Sequence, residues 1–278
     1  VLGFMQFFSL GEVYFVSFSG RAFGLMGNPN FYGSFLSLLL PLSLYVFLEK
    51  DWRSGALFFL VFFLALLTSM ARSAWIGSSI GLLSFVLFYD WKKNREKRKR
   101  LLLLGLCLAV ISTGIMAIHP QTKQRVESIF REGINLFTSS DHSGLGAGRL
   151  DIWKKSFILI GENPLLGVGP EHMLFALNQE VEEIKLDKAH NEYVDRAVAT
   201  GVPSLILYLA WIFTILRRAW KKRGNPLVLA LMCAVFSYLL QAFFNIAIVM
   251  VYPYFMAILG ILSYSSKRDA FSLEKSNK

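Results

Sequence analysis

Charge is scarce in this 278-residue chain: 17% of its residues are Asp, Glu, Lys or Arg, against 54% hydrophobic. Cysteine is scarcer, with two in all, and Cys107 and Cys233 both fall inside apolar runs. That excludes a disulfide framework as the basis of the fold and predicts buried thiols. The four histidines are widely separated and none stands in H-E-x-x-H, so no zinc motif is legible. No compact pair of aspartates marks a cation-dependent transfer site either. The glycines of "GLGAGR" (Gly144 to Arg149) follow no strand and open no βαβ unit, which argues against dinucleotide binding.

What is present is apolar length. Phe alone occurs 25 times, and the mean hydropathy is +0.48, well above that of an ordinary soluble domain. Several runs reach the roughly 17–25 residues that a helix needs to cross hydrocarbon, where it satisfies its own backbone. We read seven spans, near 30–48, 55–71, 73–89, 101–118, 197–216, 226–244 and 246–264. The fold expected is all-α, a polytopic transmembrane bundle with one large, partly helical extracytoplasmic loop. The chain opens at Val1 inside an interrupted apolar stretch, so its amino terminus is expected to be incomplete and to lack further spans.

The net charge of +10 is not spread evenly. Lys50 and Arg53 follow the first span, "KKNREKRKR" (Lys92 to Arg100) the third, "RRAWKKR" (Arg217 to Arg223) the fifth, and Lys267, Arg268, Lys275 and Lys278 the seventh. Every second loop is basic, which under the positive-inside rule makes these four segments cytoplasmic. Beyond Trp52, Trp220 and Phe271, each standing singly, no aromatic residues interleave them as a stacking surface for nucleic acid would require, so a lipid bilayer and no nucleic acid is the partner they imply.

The alternation leaves residues 119–196 as one sizeable outer segment, holding His119, His142, His172 and His190. Apolar spacing there predicts three amphipathic helices: through Val126, Ile129, Phe130 and Phe137; through Leu150, Trp153 and Phe157; and through Leu174, Leu177, Val181 and Ile184. They either lie along the interface or pack into a small cap. Arg72, in "LLTSMARSAWIG", stands where one span leaves the membrane and the next enters, a depth at which an ionisable residue is a functional candidate; a snorkelling arginine is the alternative. Arg149 ends the glycine-rich loop, which either lets it swing to an anion or is plain surface. His190 opens "HNEYVDRA" just before the fifth span; on a helix it would share a face with Tyr193 and Ala197, and a solvated loop histidine is the alternative. Glu192 and Arg196, spaced i, i+4, read as a structural pair, and Asp195 as a first-turn acid. Guanidiniums bind diphosphate without a metal, and imidazole accepts a hydroxyl proton near neutral pH.

"SMARSAWIG", "GAGRLDIWKKSFILIGENPLLGVGPEHM" and "AHNEYVDRAVATGVPSLILY", in that order, resemble the O-antigen ligase and polymerase superfamily. "GRAFGLMGNPNFYGSFLSLLLPLSLY" is similar to the segment that precedes those motifs. The resemblance divides the chain into an amino-terminal segment and first span (1–54), a ligase-related core (55–212) containing the outer loop 119–196, and a cytoplasmic loop, two last spans and tail (213–278). It implies a metal-independent, inverting glycosyltransferase of the bacterial cytoplasmic membrane, without cofactor, its catalytic loop extracytoplasmic. The donor implied is an undecaprenyl diphosphate-linked glycan and the acceptor a hydroxyl on a glycan, lipid or protein. By the same resemblance Arg72 and Arg149 hold the diphosphate, Arg21 adds to the positive field, and His190 is the base. Ligation, as in building lipopolysaccharide, is preferred to repeat-unit polymerisation and to protein O-glycosylation. A transporter or flippase of an anionic lipid or solute is the competing class, disfavoured because the polar groups gather at one face rather than at the midplane of two repeated halves. Members of the superfamily have more spans than seven, which again points to a missing amino-terminal portion.

Overall fold

A computed structural model describes residues 2–8, 20–91, 95–138, 149–177 and 187–276. His142, Val181, Ile184 and the glycines of "GLGAGR" lie outside the described residues, as does the side chain of Phe137. Every regular element described is a helix: α1 (Leu2–Phe8), α2 (Pro29–Glu49), α3 (Trp52–Ser69), α4 (Arg72–Phe88), α5 (Arg95–Ile118), α6 (Pro120–Thr138), α7 (Arg149–Glu162), α8 (Met173–Leu177), α9 (Glu192–Trp220), α10 (Pro226–Ala242) and α11 (Tyr252–Ser276). Four of them, α2, α3, α5 and α9, are long and apolar enough to cross a membrane. The apolar helices α4 and α10 have 17 residues each. The chain forms two compact units, one of residues 1–125, 214–241 and 248–278, the other of residues 126–213 and 242–247.

In the first unit the helices begin where local chemistry allows. The Asn28 side chain accepts from Asn30 N at 2.8 Å, with Pro29 in the first turn of α2. Asp51 caps α3 by accepting from Arg53 N and Ser54 N. Apolar faces cannot drive helices together inside lipid, so close contact depends on small residues. A Cβ on Gly55 of α3 would stand 2.2 Å from Phe47 N of α2, and one on Gly33 of α2 would stand 2.7 Å from the Ala71 methyl. Further along α4, a Cβ on Gly81 would stand 1.8 Å from Ser237 Oγ of α10. Ser34 Oγ donates to Gln241 Oε1 at 2.8 Å, linking α2 to α10 inside the bundle. By contrast, Leu104 is the only buried residue described in α5, so that helix offers apolar side chains nearly all round, as a lipid-facing helix does.

The last apolar stretch departs from expectation. Residues 226–244 and 246–264 read as two spans with almost nothing between them, yet α10 stops at Ala242 and α11 starts at Tyr252. Asn245 accounts for the stop: its own side chain takes the Ile246 N–H at 3.0 Å, offering the backbone a partner other than a helical carbonyl. Pro253 falls in the first turn of α11, where its missing N–H costs nothing.

The second unit is organised by a break in α9. Gly201 has φ 82°, ψ 164°, and Pro203 follows. Val202 N donates to Pro164 O at 2.9 Å, and Pro203 has no N–H to give, so the carbonyls of Val198 and Ala199 are released from the helix. They accept instead from Val168 N at 2.8 Å and Gly169 N at 3.0 Å, both in the loop after α7. Tyr208 Oη donates to Glu192 Oε1 at 2.9 Å, although 16 residues of straight helix would separate them by about 24 Å. The segment before Gly201 therefore turns back on the segment after it. The span expected at 197–216 is shortened accordingly: the unbroken apolar helix starts at Val202 rather than at residue 197.

Beneath the returning segment lies a small core of Leu159, Met173, Ala189, Val194 and Val198, with Trp153, Ile152 and Val168 packed against it. The expected amphipathic helices correspond to α6, α7 and, for Leu174 and Leu177, α8.

Candidate active site

His190 is not on a helix. It precedes α9 with φ 52°, in the left-handed region that non-glycine residues enter only when their surroundings fix them there. The face shared with Tyr193 and Ala197 therefore does not arise. Asn191 is the reason, because its Oδ1 accepts from Tyr193 N at 3.0 Å and Val194 N at 3.2 Å and so starts α9 one residue later. The residue before His190 is anchored on both sides. Ala189 N donates to Asp195 Oδ1 at 2.5 Å, and Ala189 O accepts from Trp153 Nε1 at 2.9 Å.

Trp153 stands one turn along α7 from Arg149, on the same face. The Arg149 guanidinium carbon lies 6.0 Å from the ring centroid of Phe244, against which Trp153 also packs at 6.5 Å. Arg149 and His190 thus come together within one unit. His190 is exposed as a residue, but the chain around its ring removes enough water to lower its pKa below 6.5; the charge of Arg149 lowers it further and Asp187 works the other way. The imidazole is therefore neutral, and able to accept a proton, at neutral pH. Two other histidines are engaged locally. His119 pairs with Thr122 Oγ1 at 3.1 Å and packs on Phe7, and His172 Nδ1 donates to Pro170 O at 2.8 Å.

Arg21 and Arg72 belong to the first unit. Arg21 Nε donates to Ser69 O at 3.0 Å and its NH2 donates to Asn30 Oδ1 at 2.9 Å, while Ala22 N donates to Thr68 O at 2.9 Å. The end of α3 is thereby sewn to the chain before α2. Met70 closes that end in the left-handed conformation, and Arg72 begins α4 two residues on. Burial first, then the charges of Arg125 and Arg72, bring the Arg21 pKa down to about 10. Arg125 was not legible as a neighbour. It arrives because α6 begins against Gly20, whose Cβ would stand 3.1 Å from Gln121 Oε1, and Arg125 is one turn beyond Gln121.

Glu192 and Arg196 meet through a third residue. The Arg196 guanidinium lies 3.9 Å from the centroid of Tyr208, whose hydroxyl is bonded to Glu192. A literal G-x-S-x-G, Gly77 to Gly81, lies in the middle of α4 with both glycines packed on Ser237, so it is a helix contact and no nucleophile elbow. Among the described residues no three of His, Cys, Asp and Glu are grouped to hold a metal ion.

Apolar helices of spanning length, with the polar candidates at helix ends and in the loops beside them, define a polytopic α-helical membrane protein. The family model for O-Antigen ligase matches residues 55–209, more than half of the chain. The protein belongs to the O-antigen ligase family. It is also 26% identical over 204 residues to a Haemophilus influenzae protein described as "Uncharacterized protein", a match covering 68% of this chain and 49% of that one. The chain thus spans about half the length of the curated relative it matches.

Proposed function

We propose that this protein transfers a glycan from an undecaprenyl diphosphate carrier to an acceptor hydroxyl at the outer face of the bacterial cytoplasmic membrane, crossing that membrane seven times. The observation that carries the reading is His190, a neutral imidazole in the field of Arg149, fixed on a loop of a protein from the O-antigen ligase family. A ring nitrogen of His190 takes the proton as the acceptor oxygen attacks the anomeric carbon. The bond from that carbon to the diphosphate breaks, and the electron pair leaves on the diphosphate. Arg149, Arg72 and Arg21 stabilise the charge that grows there, as planar guanidinium donors can without a metal. One in-line displacement inverts the anomeric centre. The same residues serve ligation onto a lipid, polymerisation of repeat units or glycosylation of a protein, and ligation is the preferred reading.

The test supplies purified protein with a lipid diphosphate-linked glycan and a panel of acceptors, free of divalent metal. Product from wild type, and little from Arg72→Ala, Arg149→Ala and His190→Ala, is expected. Wild-type rates in all three variants would remove the assigned residues, and movement of glycolipid without a new glycosidic bond would make the protein a transporter.

A further inference from the structure

We infer that Asp195 and Trp153 are positioning residues for His190, gripping the two peptide groups that flank Ala189 and so fixing where the imidazole stands. That the positioned group is a catalytic base rests on the reading above; that these two side chains position it does not.

The grip comes from two helices. The peptide N–H of Ala189 is held by Asp195 of α9 at 2.5 Å, and the carbonyl that Ala189 shares with the His190 peptide is held by the Trp153 indole of α7 at 2.9 Å. Ala189 is itself fully buried in the core of the second unit. On the far side of His190, Asn191 is fixed as the cap of α9. His190 is thus a single residue suspended between two immobilised ones, which explains how a side-chain-bearing residue is kept at φ 52°.

Asp195 does not behave as a capping acid. A first-turn carboxylate ordinarily faces the free amides at its own helix start, whereas the Asp195 Oδ1 bond reaches back six residues, out of the helix. Its Oδ2 is buried and has no hydrogen-bond partner among the described residues. A buried carboxylate oxygen left unbonded costs free energy. The compensating role is the placement of Ala189, a contact that a helix dipole would not need. Trp153 is equally specific, since its ring packs on the core while its only polar atom goes to the carbonyl before His190.

The experiment uses the full chain in lipid nanodiscs, comparing Trp153→Phe, which removes the N–H and keeps the ring, with Asp195→Ala and Asp195→Asn. The first readout is kcat and KM for glycan transfer. The second is independent of turnover: the pH dependence of His190 modification by diethyl pyrocarbonate, followed by mass spectrometry. Of the charged groups near it, Arg149 from α7 lowers the His190 pKa and Asp187 from the preceding segment raises it; Lys188, Glu192 and Asp195 flank it along the chain, and burial raises the Asp195 pKa to about 6. Trp153→Phe and Asp195→Ala are expected to lower kcat by about 10- to 100-fold, the penalty of small misplacement, with KM little changed. In Trp153→Phe, which changes no charge, the His190 midpoint is expected to rise toward that of an ordinary histidine. Asp195→Asn, which still offers an oxygen to Ala189 N, should recover most of the loss. Unchanged kcat together with an unchanged His190 midpoint overturns the inference. If the wild type transfers no glycan, the proposed function fails and the midpoint alone decides: a rise in Trp153→Phe upholds positioning, and no change refutes it. Should Asp195→Ala not fold, Trp153→Phe decides in the same way.

Discussion

Trp153 donates its indole N–H to the carbonyl of Ala189, the residue before His190, at 2.9 Å. One turn back along the same helix face stands Arg149. A single face of α7 therefore carries both a handle on the His190 backbone and a positive charge felt by the His190 ring.

The first prediction concerns pH. Burial and Arg149 lower the His190 pKa below 6.5, so the folded protein binds this proton less readily than the unfolded chain. The associated stability is present above pH 6.5 and is lost as pH falls through the folded value. If the neutral ring is the base, the acid limb of kcat/KM, which reports the free enzyme, has its midpoint below 6.5. His190→Ala should abolish that limb and lower kcat by about 10²- to 10⁴-fold, the usual contribution of a general base.

Removing Arg149 has two effects of opposite kind. Arg149→Ala should lower transfer by taking away diphosphate stabilisation, yet raise the His190 midpoint toward 6.5 because a repelling charge is gone. A pH profile measured beside the rate separates the two. A lowered or unmoved midpoint would contradict the geometry.

Arg21 is predicted to be structural and electrostatic at once. Arg21→Lys keeps the charge but cannot donate to Ser69 O and Asn30 Oδ1 from one planar fork. It should cost about 1.5 kcal/mol in stability, the lower range for hydrogen bonds from a charged group. Because its folded pKa of about 10 lies below 12.5, carrying the charge at neutral pH destabilises the fold, and a bound anion offsets that. Inorganic diphosphate should raise the melting temperature of wild type, and raise it less in Arg72→Ala.

Two glycine substitutions should diverge. Gly201→Ala places a Cβ 2.1 Å from Leu165 O at φ 82° and should cost at least about 1–3 kcal/mol from the backbone alone. Gly105→Ala in α5, where a Cβ meets nothing within 4 Å, should be neutral or stabilising by up to about 1 kcal/mol. Thermal unfolding in detergent compares them.

Seven crossings predict that Asp141→Cys and Lys185→Cys, in a background lacking Cys107 and Cys233, react with a membrane-impermeant maleimide from the outer side. Protection of both positions in intact cells, with labelling after permeabilisation, would overturn the topology.

The helices were legible because their signals are local. Long apolar runs announced α2, α3, α5 and the apolar part of α9. The break at Gly201 was not legible as a reversal, because its hydrogen-bond partners lie in a loop more than thirty residues earlier. The same holds for the site. Residue type and position beside a span singled out Arg72, Arg149 and His190; Asn191, a favoured N-cap residue, was the local signal that the helix starts after His190, but nothing in "HNEYVDRA" tells that Asp195 turns back to Ala189. Trp153 read as the apolar face of a helix, which it is; its N–H has a second use that spacing cannot reveal.

The loop 164–169 supplies hydrogen bonds that α9 cannot make for itself around Gly201 and Pro203. In heredity, then, these two stretches travel as one part. A chimaera that takes its outer loop from one relative and its following helix from another would pair mismatched backbones at that seam. Productive crossovers between relatives should fall before residue 163 or after residue 203, and substitutions on one side of the seam should be tolerated according to what stands on the other.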